Sequence, residues 1–294
     1  MLRSDVSPLT SALLPAQRRV VGRCCLHVLL GKGKIVKKAL APALVIALLI
    51  TGLLTVGLTT AAKPTVVRAG NLVLRLNGGV TPKRLPRNEL APIKLQISGN
   101  ISTADGTHPP AAKFVIADFD KHGTVNARGL PTCSAGKLQA RNTQAAKQAC
   151  PKAIVGGGKT RVRVEFPEQA AFFSTGPLVL FNGGVKRGVT TMFIHAYVNV
   201  PAPTAIVTVV KIKPIHKGRF GTRAIARIPK IAGGYGSVTR FAMAIKRNFR
   251  FRGRSRSYLT ARCANGRFFA HVDVAFAGGL RFGGTVVRAC RGRG

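Results

Sequence analysis

The sequence predicts an all-β fold for most of the chain, and three observations support an antiparallel β-sandwich or jelly-roll-like domain. Apolar and polar residues alternate over many short segments, which is the period of a half-buried strand. Glycine-rich turn signals recur between these segments. Glu is scarce and Leu is infrequent after residue 62, which disfavours a helical protein. Strands at this spacing are typical of antiparallel sandwiches and barrels.

The N-terminal part of the chain predicts export. Residues 1–38 form a basic N-terminal segment, and residues 39–62 form an apolar run without any charge. About 20 residues of helix span the roughly 30 Å hydrocarbon core of a bilayer. Lysines precede the run directly, at Lys32, Lys34, Lys37 and Lys38. Because a positive N-terminal flank stays in the cytoplasm, residues 63–294 are predicted to be an extracytoplasmic β domain.

Two fates of the apolar run remain open. Thr60-Ala61-Ala62 fits the small-residue pattern of a signal-peptidase site, which indicates a signal peptide. The run is longer than a usual signal core, which indicates a transmembrane anchor instead. The segment 1–38 is then either cytoplasmic or the result of a mis-assigned start, with translation beginning near Val36. In both cases the domain is secreted or anchored to the cell membrane by residues 39–62.

The predicted strands follow one another through the exported part. The clearest alternation runs from Phe241 to Phe251, where apolar residues alternate with Arg, Lys and Asn. Residues 205–212 are apolar on both faces, which is typical of a central strand. Strands are predicted near 70–77, 91–101, 113–118, 160–166, 177–182, 189–200, 205–212, 219–228, 241–251, 257–263, 268–276 and 281–290. Turns are predicted at Asn77-Gly78-Gly79, Asp105-Gly106, His122-Gly123, Asn182-Gly183-Gly184, Gly233-Gly234 and Gly278-Gly279.

One helix and two disulfides are expected. Residues 134–149 have a helical pattern, with Ser134 placed to cap the first turn. The exported part holds four cysteines, an even number that predicts disulfides in an oxidising compartment. Three pairings are possible, of which Cys133–Cys150 and Cys263–Cys290 are the simplest because each is local. The first pair would clamp both ends of the helical segment. The cysteines are too far apart in sequence for a structural metal site.

Four segments of the exported part carry a resemblance to a family. They are DFDKHGT (118–124), CPKAIVGGG (150–158), IPKIAGGYGSVTRF (228–241) and RSYLTARC (256–263). These segments resemble uncharacterised secreted proteins of high-GC Gram-positive bacteria, over most of residues 70–290. The shared motifs are glycine turns, cysteines and strand ends. The resemblance implies an exported all-β protein and brings no established activity with it.

The charge is the most unusual property of the sequence. Lys and Arg number 47 against eight Asp and Glu, a formal net charge of +39. Such a charge attracts polyanions, and outside the cell an anionic envelope polymer or a membrane surface is more available than nucleic acid. The alternative is a charge spread thinly over the surface without a specific partner. The densest basic tracts are residues 250–257 and the terminal RGRG of residues 291–294.

Four arginines are the candidate polyanion-binding residues: Arg250, Arg252, Arg254 and Arg256. They would all face outward, about 6.6 Å apart, if the strand continues past Gly253. Arginine binds phosphate through two parallel hydrogen bonds, so this row would match a repeating phosphate polymer. A solvated edge strand whose charges prevent aggregation is the alternative interpretation.

Two further motifs predict structure rather than a bound ion or nucleotide. The segment VGGGKT (155–160) ends like a phosphate-binding loop, but Ala153 replaces the first glycine and a strand follows, so a flexible turn is expected. The segment DFDKHG (118–123) begins like a calcium loop, but Gly129 stands where the closing Glu is required. A turn stabilised by Asp side chains is expected there. No cofactor and no metal are predicted, and the scattered histidines are expected at the surface.

The sequence therefore predicts a non-enzymatic cell-envelope protein that binds anionic polymer or lipid headgroups through a basic β surface. The alternatives are a secreted carbohydrate-active hydrolase and an extracellular nucleic-acid binder. A hydrolase would use an acid pair such as Glu165 with Glu168, or Asp118 with Asp120. Two carboxylates facing one open cleft would indicate the hydrolase, and a continuous Arg/Lys face without such a pair would indicate binding.

Overall fold

The computed structural model describes residues 63–294. The predicted basic segment 1–38 and the apolar run 39–62 lie outside the described residues. Within residues 63–294, no helix has both the length and the apolar character needed to cross a membrane.

The described part of the chain is built almost entirely of β-strands, as the alternation predicts. The strands are β1 (Thr65–Ala69), β2 (Leu72–Thr81), β3 (Arg84–Pro86), β4 (Ala91–Pro92), β5 (Lys94–Thr103), β6 (Ala112–Asp120), β7 (Gly123–Val125), β8 (Ile154–Val164), β9 (Phe172–Lys186), β10 (Val189–Val198), β11 (Thr204–Lys217), β12 (Phe220–Arg227), β13 (Gly236–Ile245), β14 (Asn248–Phe251), β15 (Arg254–Ser257), β16 (Leu259–Ala261), β17 (Arg267–Phe276), β18 (Arg281–Ala289) and β19 (Arg291–Arg293). The helices are α1 (Ala135–Leu138) and α2 (Thr143–Ala149), with 3₁₀ turns at Pro151–Ala153 and Ala232–Gly234.

Twelve strands form one antiparallel sheet. Their order is β1-β2-β5-β13-β8-β9-β10-β11-β12-β6-β17-β18, and each neighbouring pair is antiparallel. The remaining strands form small sheets, β4-β16-β7 and β14-β15, and a parallel pair of β3 with β19. The all-β antiparallel class predicted from the sequence is therefore confirmed.

The sheet rolls up until its two outermost strands meet. The Thr65 hydroxyl on β1 donates to the Thr285 carbonyl on β18 at 3.3 Å. Strand β1 pairs with Leu72–Leu76 of β2, so within residues 63–294 no strand pairs with residues 77–80 of β2 on that side. There the contact with β18 is made by the side chain of Arg288, which reaches the Gly78 carbonyl. We call this junction between residues 77–80 and Arg288 the seam.

Successive side chains along each strand point alternately into and out of the rolled sheet. On β10, Met192 and Ile194 line the interior cavity, whereas Phe193 packs in a cluster with the helices. Strand β11 is apolar on both faces because Val210 faces inward while Val209 packs against the helix-side cluster. It lies between β10 and β12, near the middle of the strand order, so its prediction as a central strand is confirmed.

Apolar clusters close both ends of the rolled sheet. At one end Leu72, Leu74, Val274 and Phe276 pack together, and a smaller cluster around Ile231 lies nearby along β8 and β13. At the other end the short strands and loops form a cover. Buried residues of that cover include Leu85, Ile93, Leu130, Tyr258 and Leu259. An apolar cavity lies in the interior between the two ends.

The helical segment differs from the single helix predicted over 134–149. It forms two short helices, and Ala140 between them has a positive φ of 57°. The Asn142 side chain accepts a hydrogen bond from the Ala145 backbone N–H at 2.8 Å, so Asn142 starts a new helix. Ser134 occupies the N-cap position of α1 but its side chain makes no capping hydrogen bond. Helix α2 packs on the outer face of β9 and β10, and α1 contacts β11.

Both predicted disulfides are present. Cys133 is bonded to Cys150 and Cys263 to Cys290. The first clamps the helical segment at its two ends, as expected. The second joins the chain after β16 to the chain after β18, and both of its cysteines are buried in the cover.

Three glycine-rich segments predicted as turns are strand interiors instead. Asn77-Gly78-Gly79 lies in β2, Asn182-Gly183-Gly184 in β9, and the VGGGKT segment (155–160) in β8. The reason in β8 is a close backbone approach. A Cβ at Gly156 or Gly158 would clash with backbone carbonyl oxygens of strand β13. Glycine is used there because it lets neighbouring backbones approach, not because the chain reverses.

Candidate functional site

The seam is held by one cation whose hydrogen-bond partners are all neutral. The Arg288 guanidinium donates to the Gly78 carbonyl at 2.6 Å, the Asn77 Oδ1 at 2.5 Å, the Val287 carbonyl at 2.7 Å and the Lys63 carbonyl at 3.3 Å. Burial lowers the pKa of Arg288, but arginine keeps its charge at neutral pH. The seam therefore contains a positive charge that no carboxylate neutralises within the described residues.

A cleft of about 1080 Å³ lies beside the seam. Among the described residues, five basic side chains and no acidic one line it. The five are Lys83, Arg84, Lys159, Arg288 and Arg291. We call this the basic cleft. Its floor is formed by residues with small side chains or none, among them Ser98, Gly157, Gly158, Ala242 and Ala244. Small residues at these positions leave space that larger side chains would fill.

Long-range pairing positions the cations of the basic cleft. Strands β3 and β19 are parallel, and Arg84 lies directly opposite Arg291. The Arg291 backbone N–H donates to the Lys83 carbonyl at 2.8 Å. The disulfide at Cys290 fixes the residue just before Arg291, and its partner Cys263 donates from its backbone N–H to Pro86 at 2.9 Å. The Cys263–Cys290 disulfide therefore holds one wall of the cleft in place.

The interior of the rolled sheet contains an apolar cavity of about 350 Å³. Most of its lining is aliphatic or aromatic, for example Ile97, Ile194 and Phe268. Among the lining residues, the side chains that carry charge are Asp120 and Arg288. Asp120 is already occupied, because its Oδ1 accepts hydrogen bonds from the His122 backbone and ring at 2.9 and 2.8 Å.

The apolar cavity and the basic cleft adjoin at the seam. Eight residues line both spaces: Asn77, Gly78, Gly79, Val80, Gln96, Ile97, Met243 and Arg288. Half of them are residues 77–80 of β2, the part that lacks a strand partner towards β18. An apolar interior thus connects with a cationic exterior at a junction held by side chains.

Tyr258 provides a polar group in the wall of the apolar cavity. Its side chain is 1% exposed, and its hydroxyl has no hydrogen-bond partner among the described residues. Burial raises the pKa of this hydroxyl, so it stays protonated. An unpaired buried hydroxyl costs about 1–3 kcal/mol.

The four candidate arginines of the 250–257 tract are not arranged as predicted. The strand does not continue past Gly253. It reverses there, because Arg252 and Gly253 have positive φ values of 50° and 74°, the geometry of a tight hairpin turn. Arg254 lies opposite Phe251 and Arg256 opposite Phe249. Arg250, Arg252, Arg254 and Arg256 are all exposed, but they surround the tip of the hairpin rather than forming a row along one strand.

The hairpin itself shows what two of these arginines contact. The guanidinium groups of Arg252 and Arg256 lie over the Phe251 ring, 5.4 and 5.7 Å from its centroid. Cation–π contacts of this kind are compatible with a solvent-exposed structural role. The role of the tract in polyanion binding stays a prediction.

Three of the four acid residues considered for a hydrolase, Asp118, Asp120 and Glu165, are engaged with other groups. Asp118 accepts two hydrogen bonds from Arg223, each 2.7 Å long, and this contact lowers the pKa of Asp118. Glu165 lies 3.3 Å from both His108 and Arg163. The turn expected at DFDKHG is present, since the Asp120 side chain accepts from the His122 backbone N–H. Among the described residues no group of three potential metal ligands is found.

Two of the described histidines, His122 and His195, are buried, contrary to expectation. His195 is 0% exposed beneath the helical segment, where its Nε2 donates to the Arg141 carbonyl at 2.9 Å. Burial lowers the pKa of His195, and its Nδ1 has no partner within the described residues. His271 is partly exposed, with its ring 3.5 Å from Asp273 on the same strand.

The cleft residues were mostly missed by the sequence reasoning. Lys83, Arg84, Lys159 and Arg288 stand alone or in pairs along the chain, and no spacing connects them. Arg291 belongs to the terminal basic tract (291–294), and this tract was the feature of the sequence that pointed to a residue of the cleft. Comparisons of the chain with protein-family models, with curated proteins and with solved structures find no match. The function is therefore inferred from the geometry of the site.

Proposed function

We propose that this protein is an exported, non-enzymatic cell-envelope protein that binds an anionic envelope polymer or lipid headgroups through the basic cleft. The observation that supports the proposal most strongly is the lining of that cleft, five cations with no carboxylate. Lysine and arginine are the side chains that recognise phosphate and carboxylate groups. A concave cationic surface also concentrates polyanions before they bind.

The composition of the described part supports the same proposal. Eight of the 47 basic residues and one of the eight acidic residues fall within residues 1–62, which leaves 39 basic and seven acidic residues. Four of these acids contact Arg or His side chains: Asp118, Asp120, Glu165 and Asp273. Few carboxylates therefore compete with an external anion for the cleft.

The disulfides and the N-terminal sequence support an extracellular location for the domain. Two disulfides are consistent with an extracellular location. The apolar run 39–62, with its lysine flank, supports export by a signal peptide or an anchor. In that location a phosphate-rich envelope polymer or a membrane surface is a more accessible polyanion than nucleic acid. The absence of any acidic side chain from the basic cleft favours binding over the two-carboxylate chemistry of a glycoside hydrolase.

A matched pair of variants tests which surface binds. In the cleft variant, Lys83, Arg84, Lys159 and Arg291 are replaced by Gln. In the hairpin variant, Arg250, Arg252, Arg254 and Arg256 are replaced by Gln. Both lose four positive charges, so a general effect of net charge is equal in the two. Binding of synthetic poly(glycerol phosphate) to the full chain is measured by calorimetry over a series of salt concentrations.

The proposal expects the cleft variant to lose affinity and salt dependence together. For flexible polyanions, log K falls by about 0.7 per decade of salt for each phosphate neutralised, so four lost contacts should reduce the slope by roughly 3. The hairpin variant should keep most of the wild-type slope. Equal losses in both variants would indicate diffuse charge attraction, and a loss in the hairpin variant alone would place binding at the hairpin; either result contradicts the proposal.

A further inference from the structure

We infer that the basic cleft and the apolar cavity together bind one single-chain anionic amphiphile, with its alkyl chain inside the rolled sheet and its headgroup at Arg288. The inference rests on the proposed function and deepens it, because it specifies the class of ligand that the cleft recognises. Three features of the described residues support it: the size and lining of the cavity, the construction of the seam, and the charge at the seam.

The cavity has the size and chemistry needed for one alkyl chain. Its volume of about 350 Å³ is at the lower end of the range for small-molecule sites, which is about 300–1,000 Å³. A two-chain lipid would need a larger space, so the cavity favours a single chain. The walls near the seam include the apolar side chains of Val80, Ile97 and Met243. Burying each methylene of a chain there contributes about 0.8 kcal/mol, or about fourfold in affinity.

The seam is the place where a chain can enter. A backbone ladder joins each pair of neighbours in the strand order from β1 to β18, but within the described residues none joins β18 to β1 or β2, where the sheet closes. Opening the sheet elsewhere would break a row of backbone hydrogen bonds. At the seam it breaks side-chain hydrogen bonds instead of a ladder, chiefly those from Arg288 to Gly78 and Asn77. Gly78 and Gly79 carry no side chains that would obstruct the opening.

The charge at the seam favours an anionic headgroup at that position. Arg288 hydrogen-bonds to carbonyl and amide oxygens, which are weaker acceptors than phosphate or carboxylate oxygens. A headgroup in the cleft therefore competes for Arg288 with its present partners. Lys83, Arg84 and Arg291 line the same cleft and contribute further positive charge. On the interior side, Phe268 lies directly opposite Arg288 on β17, so the apolar surface begins next to the charge.

A single-tryptophan reporter provides the main test, because the chain contains no Trp. In the full chain, Phe268→Trp places the reporter in the cavity wall, and Tyr235→Trp places a control at a position that is 47% exposed and outside the cavity lining. The probe is dodecyl phosphate carrying bromine on the chain, used below the concentration at which it forms micelles. Bromine quenches Trp on contact, so quenching at position 268 but not at 235 is expected. Equal quenching at both positions would show adsorption to the surface and overturn the inference.

A chain-length series tests the same inference on the unaltered protein, so the result does not depend on a variant folding. Methyl, octyl, decyl and dodecyl phosphate are titrated by calorimetry. Affinity is expected to rise about fourfold per methylene from octyl upward until the cavity is filled. Dodecanoate should bind like dodecyl phosphate, whereas dodecanol should bind at least about tenfold more weakly because it lacks the charge that Arg288 recognises. Equal affinity for dodecanol would overturn the assignment of the headgroup to Arg288.

Failure of the inference and failure of the proposed function give different results. If methyl phosphate binds as well as dodecyl phosphate while poly(glycerol phosphate) still binds to the cleft, the cavity takes no chain and only the inference is overturned. If neither the polymer nor any alkyl phosphate binds, both are overturned. The variant Arg288→Gln should weaken dodecyl phosphate at least about tenfold and affect poly(glycerol phosphate) less, because four cleft cations remain.

Discussion

Removal of the Cys263–Cys290 disulfide should affect both the stability of the domain and the geometry of its basic cleft. The bond closes a loop with a sequence separation of 27 and is adjacent to Arg291. The variant is Cys263→Ala with Cys290→Ala, because both cysteines are buried in an apolar cluster where a serine hydroxyl would lack a partner. The matched control is Cys133→Ala with Cys150→Ala, which removes the bond around the helical segment.

The sequence separation of each cysteine pair gives the expected loss in the free energy of unfolding. For a separation of 27, loop-closure entropy contributes about 3.6 kcal/mol to the free energy of unfolding at 25 °C. For the control, with a separation of 17, the contribution is about 3.1 kcal/mol. The two losses of stability should therefore be similar. Their effects on polymer binding should differ. Of the two bonds, the Cys263–Cys290 disulfide is the one that secures β19 against β3, and it thereby positions Arg84 and Arg291.

The assay combines urea unfolding with calorimetric titration of poly(glycerol phosphate). The Cys263/Cys290 variant should lose about 3–4 kcal/mol and bind the polymer at least several-fold more weakly, whereas the control should lose about as much stability and keep its affinity. A loss below about 1 kcal/mol would refute the entropic estimate. Equal weakening of binding in both variants would refute the link between this disulfide and the cleft.

Two further predictions concern buried polar groups. Burial lowers the pKa of His195 and of His108 below the ordinary value of 6.5, so the unfolded chain takes up protons first as the pH falls, and the free energy of unfolding should decline below about pH 6.5. His195→Asn should reduce the slope of stability against pH in urea unfolding between pH 7 and 5, and an unchanged slope would contradict the assignment. Tyr258→Phe removes a buried hydroxyl without a partner and should raise the free energy of unfolding by about 1 kcal/mol, whereas a loss of similar size would show that the hydroxyl is hydrogen-bonded in solution.

The strands could be predicted from the sequence because the alternation of side chains is strong and local. On β17, inward Val272 and Val274 alternate with polar His271 and Asp273, and the strand observed is the strand predicted. The pairing of nearby cysteines was predictable for the same reason, since short loops are the simplest to close. Glycine misled the prediction at Gly78, where it marks an unobstructed strand rather than a turn.

The site could not be predicted because it depends on contacts between distant parts of the chain. Arg84 and Arg291 become neighbours only through the parallel pairing of β3 with β19, which no local pattern indicates. The densest basic tract looked like a straight strand because an arginine at positive φ is not a common turn residue. With Arg252 in that conformation the tract folds back on itself at Gly253. The seam also requires knowledge of which strands end the sheet order, and this is a property of the whole fold.

Backbone NMR of the full chain with a small phosphate probe shows where on the protein the anionic group binds, and we propose that this place is the basic cleft. Glycerol phosphate carries the headgroup charge without an alkyl chain or a repeat. On addition of glycerol phosphate, we expect the largest backbone amide shifts at Lys83, Arg84, Lys159 and Arg291. These shifts should disappear when the four residues are replaced by Gln. Shifts confined to the 250–257 hairpin, or spread evenly over the basic surface, would contradict it.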